Sequence, residues 1–320
     1  MIRTVASLAA ALLVAASAAH AQGTYPDRPV RIIVGFSAGG SSDVLARLSA
    51  QSLTKALNQS FIVENRTGAT GNIAHEAVAQ AAPDGYTLLF ATTDVTLNGA
   101  TSKEALRFDP EKDFSPVTQV TFAPLMIFAR PEAGGLKEFI ANLKANPNKL
   151  SYASTGRGTT THLAAEQLKL VAKLDTQHIP YKGAAPAITA VLAGETEFIF
   201  TTHVSAKAQI EGGRLRPLAI ASSTKSALLP NVQTFAEAGY PIEFGTWFGL
   251  LAPAGTPPAI MGQLHQALVK ASQTAEFRER IAGLGGEMIM STPQSFKAFV
   301  ARDVQKWKTL VKALGNADLN

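Results

Sequence analysis

Short β-branched or apolar runs alternate with amphipathic stretches almost from end to end of the chain. This is the pattern of a largely parallel sheet with crossover helices, and it places the protein in the α/β class. Residues 30–34 predict a first strand, after which Leu45, Leu48, Ser49, Ser52, Leu53 and Ala56 recur at helical spacing. A helix over 72–82 follows. Pro83-Asp84-Gly85 then turns the chain into a strand at 86–91, because Asp and Gly tolerate tight-turn geometry. The spacing predicts a strand at 125–129, a helix at 136–144, a strand at 150–154 and a helix at 161–174. The same alternation then continues through strands at 178–181, 197–200 and 215–221, with a helix at 186–193 ended by Gly194. An apolar strand at 248–252 precedes two closing helices. The last begins at Thr292-Pro293 and carries Phe296, Phe299, Val300, Trp307, Leu310, Val311 and Leu314, a stripe that reads as core.

The first residues break this pattern. Arg3 gives a positive start, residues 8–19 are small and apolar, and Ala19-His20-Ala21 offers an A-x-A cleavage site, which together predict an export signal over 1–21. That stretch is too short for a permanent membrane span, and no later segment reaches the roughly 18 apolar residues a span needs. Removing 21 of 320 residues leaves 299, more than one hydrophobic core organises, so two lobes of about 150 residues are expected. No Pro- or Gly-rich linker joins them. Strands that run from one lobe into the other would leave no such trace and would act as hinges.

Composition narrows the chemistry. There is no cysteine, so disulfides, thiol catalysis and Cys-based metal sites are excluded. The formal charge of +5 becomes +4 without Arg3, from 28 Lys and Arg against 24 Asp and Glu, and favours small anions only mildly. No basic run with interleaved aromatics is present, so nucleic acid is not an expected partner. His162 and His203 are not spaced as a metal pair with any nearby carboxylate, and neither a metal nor a cofactor is expected.

Gly35-Phe36-Ser37-Ala38-Gly39 spells G-x-S-x-G after a strand and before a helix, the form of a nucleophile elbow. An elbow belongs to a strand deep in a hydrolase sheet, whereas this one follows the first strand. Five histidines lie downstream, so an exported serine hydrolase using Ser37 stays open as the alternative. The whole stretch Phe36-Ser37-Ala38-Gly39-Gly40-Ser41-Ser42-Asp43 reads better as an anion loop. Paired glycines admit a ligand close to the backbone, and the first amides of the next helix have no intrahelical partner and a partial positive charge. Ser41 or Ser42 as cap, and Asp43 as a complement to the dipole, fit an equally simple structural role. Ser154-Thr155-Gly156-Arg157-Gly158-Thr159-Thr160-Thr161-His162 repeats the device in the second half. Two such loops facing each other would hold one anion between them, through bonds worth about 1.5–3 kcal/mol each, enough together for micromolar binding. Arg157 fits either a cation at the mouth of this pocket or a solvated loop residue. Thr92-Thr93-Asp94 follows another strand end, where α/β sheets place ligand contacts, though it fits a turn cap as well.

These residues carry a resemblance. Tyr25-Pro26-Asp27-Arg28-Pro29-Val30-Arg31-Ile32-Ile33-Val34, Gly39-Gly40-Ser41-Ser42-Asp43, Val63-Glu64-Asn65-Arg66, Pro83-Asp84-Gly85-Tyr86-Thr87-Leu88-Leu89 and Asp109-Pro110 are similar to the tripartite tricarboxylate transporter receptors, or Bug proteins. Ser151-Tyr152-Ala153-Ser154, His162-Leu163-Ala164, Ile179-Pro180-Tyr181-Lys182-Gly183, Glu237-Ala238-Gly239 and Ala252-Pro253-Ala254-Gly255-Thr256-Pro257 continue it in order, so it spans nearly the whole mature chain.

The resemblance implies a two-lobed periplasmic binding protein with two crossovers, near 119–125 and 242–248. One lobe would then comprise 22–122 plus 245–320 and the other 123–244. It implies capture of a small organic carboxylate, reversibly and without catalysis, for the small and large membrane subunits of a tripartite transporter. A receptor without its own transporter, serving as a sensor's input, fits the sequence equally well. The protein is expected to be monomeric and, lacking a lipobox cysteine, freely diffusing in the periplasm. Carried over residue by residue, the expected ligand contacts are Phe36, Ser37, Ala38, Gly39, Gly40, Thr92, Ser154, Gly156 and Thr159, with Thr201 and His203 at a variable strand end. Relatives usually begin the first loop with proline and carry another before the two glycines, where this chain has Gly35 and Ala38. Thr201 stands where many relatives have aspartate, which leans towards a ligand with a second anionic or apolar end.

Overall fold

A computed structural model describes residues 25–102 and 105–314. The proposed export signal lies outside them.

The first half begins with β1 (Val30–Val34), α1 (Ser41–Leu57), β2 (Phe61–Asn65), α2 (Asn72–Ala79), β3 (Thr87–Thr92) and α3 (Asp94–Thr101). A 16-residue strand, β4 (Phe114–Ala129), leads into α4 (Leu136–Ala145), β5 (Ser151–Ser154), α5 (Thr160–Ala172), β6 (Gln177–Pro180), α6 (Ala184–Ala193), β7 (Phe198–Thr202), α7 (His203–Glu211) and β8 (Arg216–Ile220). The chain returns through β9 (Gly245–Pro253), α8 (Pro258–Ser272), α9 (Ala275–Gly283), β10 (Glu287–Met288) and α10 (Pro293–Leu314). Three helices therefore follow β9 where the spacing predicts two.

In each half the strands joined by crossover helices are parallel: β2-β1-β3 in the first and β7-β5-β6 in the second. Between them lie β9 and β4, antiparallel to their neighbours. The single strand β4 belongs to both halves. Its residues from Phe114 to Pro124 pair with β9, and those from Leu125 to Ala129 pair with β7 and β8. Pro116 and Pro124 each remove a ladder donor, and the register shifts beside Pro116 and again between Gln119 and Thr121. The sequence pattern exposes only the uninterrupted end of this strand, 125–129, for that reason.

Apolar clusters cover both faces of each half. Val34, Leu45, Leu53, Phe90 and Leu264 fill one face of the first half, and Ile33, Val78, Trp247 and Phe296 the other. In the second, Tyr152, Leu163, Phe198 and Phe235 pack on one side, with Phe128, Ile188, Val191 and Ile199 on the other. α10 joins the two. Its Phe296 and Val300 enter a first-half cluster, while Trp307 packs with Phe244 in the second-half one. Gly249 on β9 permits this approach, since a β-carbon there would lie 2.5 Å from the Phe296 ring.

Candidate ligand-binding site

The loop after β1 and the loop after β5 both end in helix starts that face one cavity of about 40 Å³ between the halves. From the first half it is walled by Phe36, Gly40, Ser41, Ser42, Thr92 and Asp94, and from the second by Thr155, Thr160, Thr161, Ala184, Thr201 and Thr202. Leu125, Thr246 and Phe248, on the strands that connect the halves, complete it. The wall is rich in hydroxyls and holds no lysine or arginine. A helix start suits that composition, because its free amides and dipole hold an anion without a cationic side chain.

The first turn of α1 has no side-chain cap of its own. Gly40 is the N-cap and supplies no side-chain bond. The Asp43 carboxylate turns back to accept the amide of Gly39 at 3.0 Å and is clasped by Arg47 at 2.8 Å. Burial alone would raise this carboxyl, but the hydrogen bonds from Arg47, Gly39 and Asn65 outweigh it and hold the group below its ordinary value. Asp43 thus fixes the loop as a charged brace.

α5 is capped by Thr159, whose hydroxyl oxygen accepts the amide of His162 and donates to the carbonyl of Gly156 at 2.8 Å. Beneath the loop, Ser154 Oγ lies 2.6 Å from His178 Nε2, and the His178 and His162 rings stack at 3.8 Å between centroids. The Gly158 amide donates to His162 Nδ1 at 2.9 Å, which leaves the proton of neutral His162 on Nε2. Burial, reinforced by Arg157 and Lys169, pushes His162 down to about 3. Burial and the neighbouring His162 push His178 down to about 2.

The halves touch directly at several points around the cavity. The Ser37 amide donates to the Lys182 carbonyl at 3.2 Å, and the Ser41 amide to Ser205 Oγ at 3.0 Å. Thr70 Oγ1 donates to the Arg157 carbonyl at 3.1 Å, and Thr160 Oγ1 lies 3.0 Å from Thr246 Oγ1. Asp94 bridges too. It accepts the Thr160 amide at 3.3 Å and the Thr92 hydroxyl at 2.9 Å.

Among the residues expected from sequence, Phe36, Gly40, Thr92 and Thr201 stand on the cavity wall. Ser37, Ala38 and Gly39 lie just outside it in the same loop. Ser154, Gly156, Arg157 and Thr159 build the opposite loop behind Thr155, Thr160 and Thr161, and His203 packs against Gly285. Asp94, Thr160, Thr161, Thr202 and Thr246 enter the wall as well. The first three fall in stretches whose strand-to-helix form is visible in sequence, whereas Thr246 lies in a strand and carries no local signal. The Ser37 hydroxyl has no hydrogen-bond partner and faces Gly183 rather than a histidine, so the elbow motif builds no Ser-His pair here. Among the described residues no group of His, Asp and Glu could hold a metal ion, and no helix is long and apolar enough to cross a membrane.

With this geometry in place, comparison with known proteins gives a consistent result. The family model described as the tripartite tricarboxylate transporter family receptor matches residues 45–316. Protein BugT of Bordetella pertussis is 36% identical over 297 residues, covering 91% of each chain. The solved structure of the periplasmic binding protein BugD superposes with a TM-score of 0.87 at 33% identity, over 91% of this chain and 99% of that one. The structure of R. palustris Rpa4515 with adipate does so at 0.88 and 30%, over 91% and 98%. The fold is therefore that of a two-lobed periplasmic binding protein, a class that binds solutes and does not catalyse reactions. This chain belongs to the family of tripartite tricarboxylate transporter receptors.

Proposed function

We propose that the protein is a periplasmic receptor that captures a small organic carboxylate in the hydroxyl-lined cavity and presents it to the small and large membrane subunits of a tripartite transporter. The observation that carries this reading is the convergence of two helix starts, at Gly40–Ser42 and Thr160–Thr161, on one cavity without a cationic side chain. Adipate in the Rpa4515 structure supports the ligand class. The passage of β4 through both sheets supports a division into 22–122 plus 245–320 and 123–244, with β4 and the segment before β9 as the hinges. The mature protein begins after Ala21, acts as a monomer and diffuses freely. Phe36, Gly40, Thr92 and Thr201 touch the ligand, while Ser37, Gly39, Ser154, Gly156 and Thr159 shape the two loops that hold it.

A thermal-shift panel of mono-, di- and tricarboxylates, aromatic acids and amino acids tests this. A ligand at 100 times its dissociation constant stabilises the fold by about 2.7 kcal/mol, so at least one compound should raise the melting temperature clearly. A flat response across the panel contradicts the reading.

A further inference from the structure

Resting on carboxylate capture at this cavity, we propose that Asp94 is its specificity-determining residue and that the preferred ligand is an amino acid, whose ammonium group pairs with the Asp94 carboxylate.

Asp94 is only 4% exposed, and its side chain stands on the cavity wall. Among the described residues it forms no ion pair; its partners are the Thr160 amide and the Thr92 hydroxyl, both neutral. Asp43, the other acid of the two loops, has Arg47 as counter-ion. A carboxylate buried without a cation is costly unless something supplies one. Consistent with that, burial pushes the Asp94 carboxyl up to about 6 despite the hydrogen bonds it receives.

Charge balance then selects the ligand. Asp94 already accepts an amide at the start of α5, so the negative charge suited to that helix dipole is partly supplied by the protein itself. At the start of α1 the Gly40 and Ser41 amides are taken by the Ser37 carbonyl and Ser205 Oγ, which leaves the Ser42 amide and the helix dipole for the ligand's own carboxylate. A zwitterion satisfies both: carboxylate towards Gly40–Ser42, ammonium towards Asp94. A dicarboxylate brings a second negative charge into a wall that offers no cation and already contains an acid. The Thr202 hydroxyl, buried on the same wall with no partner of its own, adds an acceptor or donor that a polar guest would engage. From Thr201 alone the sequence leans towards a second anionic or apolar end. Asp94, approaching from the opposite half, restores an acid to the cavity by another route.

Isothermal titration at pH 8 tests the proposal, using the standard L-amino acids and matched acids without the amino group, among them propionate, succinate, malate and adipate. The wild-type protein should bind at least one amino acid at least tenfold more tightly than its counterpart lacking the amine. Asp94→Asn, which keeps the shape and removes the charge, should lose at least tenfold for that amino acid and little for the matched acid. Tighter binding of the acids lacking an amine by the wild type overturns the assignment while leaving carboxylate capture intact. So does an Asp94→Asn variant, folded by circular dichroism, with unchanged amino-acid affinity. Absence of binding by every compound instead removes the carboxylate reading itself.

Discussion

Asp303 on α10 accepts the indole N–H of Trp247 on β9 at 2.8 Å. The same oxygen accepts the Trp307 indole at 3.0 Å and lies 2.6 Å from the Thr96 hydroxyl on α3. One buried carboxylate therefore ties together the returning strand, the C-terminal helix and the helix that begins at Asp94. It sits where α10 passes from the first-half core to the second.

Removing that carboxylate should be expensive. Asp303→Ala leaves two buried indole donors unsatisfied and should lower stability by about 2–4 kcal/mol in urea unfolding. Asp303→Asn keeps one acceptor oxygen and should cost less. Equal stability of Asp303→Ala and wild type would show that the node is not a structural tie.

Gly183, the N-cap of α6, lets the two halves approach closely at Ser37. Its φ is +138°, and a β-carbon there would lie 2.4 Å from Ser37 Oγ and 2.9 Å from the Ser37 amide across the cleft. Gly183→Ala should therefore reduce ligand affinity at least tenfold, with a loss of about 1–2 kcal/mol in stability from the strained backbone. Titration calorimetry and urea melts on the same variant separate the two effects. Undiminished affinity would mean that the halves do not need this approach.

The stacked pair His162 and His178 gives the second-half loop an acid sensitivity. Both folded values lie below the ordinary 6.5, at about 3 and about 2. The stability each contributes as a neutral ring is present above pH 6.5 and lost as pH falls towards the folded value. At pH 5 the loss reaches up to about 2 kcal/mol for each ring, less for the partly exposed His178. His178→Gln retains a donor towards Ser154 and should flatten the decline between pH 7 and pH 5 in chemical denaturation. An unaltered slope would place the sensitivity elsewhere.

Asp94 acts with the opposite sign. Its folded value, raised from 3.8 to about 6, means that its contribution is fully present below pH 3.8 and lost as pH rises through 6. The loss amounts to up to about 3 kcal/mol. The ligand-free Asp94→Asn variant should accordingly gain stability over wild type at pH 8 and little at pH 4. Thermal melts at the two values measure this, and a variant less stable at pH 8 would contradict it.

Much of this arrangement is readable in the residues. The strand at Val30–Val34 follows from its β-branched apolar run, buried on both faces, and the helix at Leu136–Ala145 from its period, which buries one regular face. The two glycine-containing strand-to-helix loops are visible for the same reason. β4 is not: its prolines and register shifts break the alternation, and its pairing with four different strands is a long-range property. Asp94 is half legible. Its place after a strand end is a local signal, but its burial without a counter-ion depends on Thr160 and Thr202, which arrive from the other half. Thr246 reaches the wall only through the pairing of β9 with β4.

The central claim is that a small carboxylate is held between the two halves and stabilises their contact. The chain has no cysteine of its own, so spin labels can be placed at introduced cysteines replacing the exposed Lys55 on α1 and Lys137 on α4. Pulsed electron resonance then reads the distance between halves with and without the carboxylate that raises the melting temperature most. The account predicts a shorter, narrower distance distribution with ligand, and none of that change in Gly183→Ala. A ligand that binds while leaving the distribution untouched would contradict it.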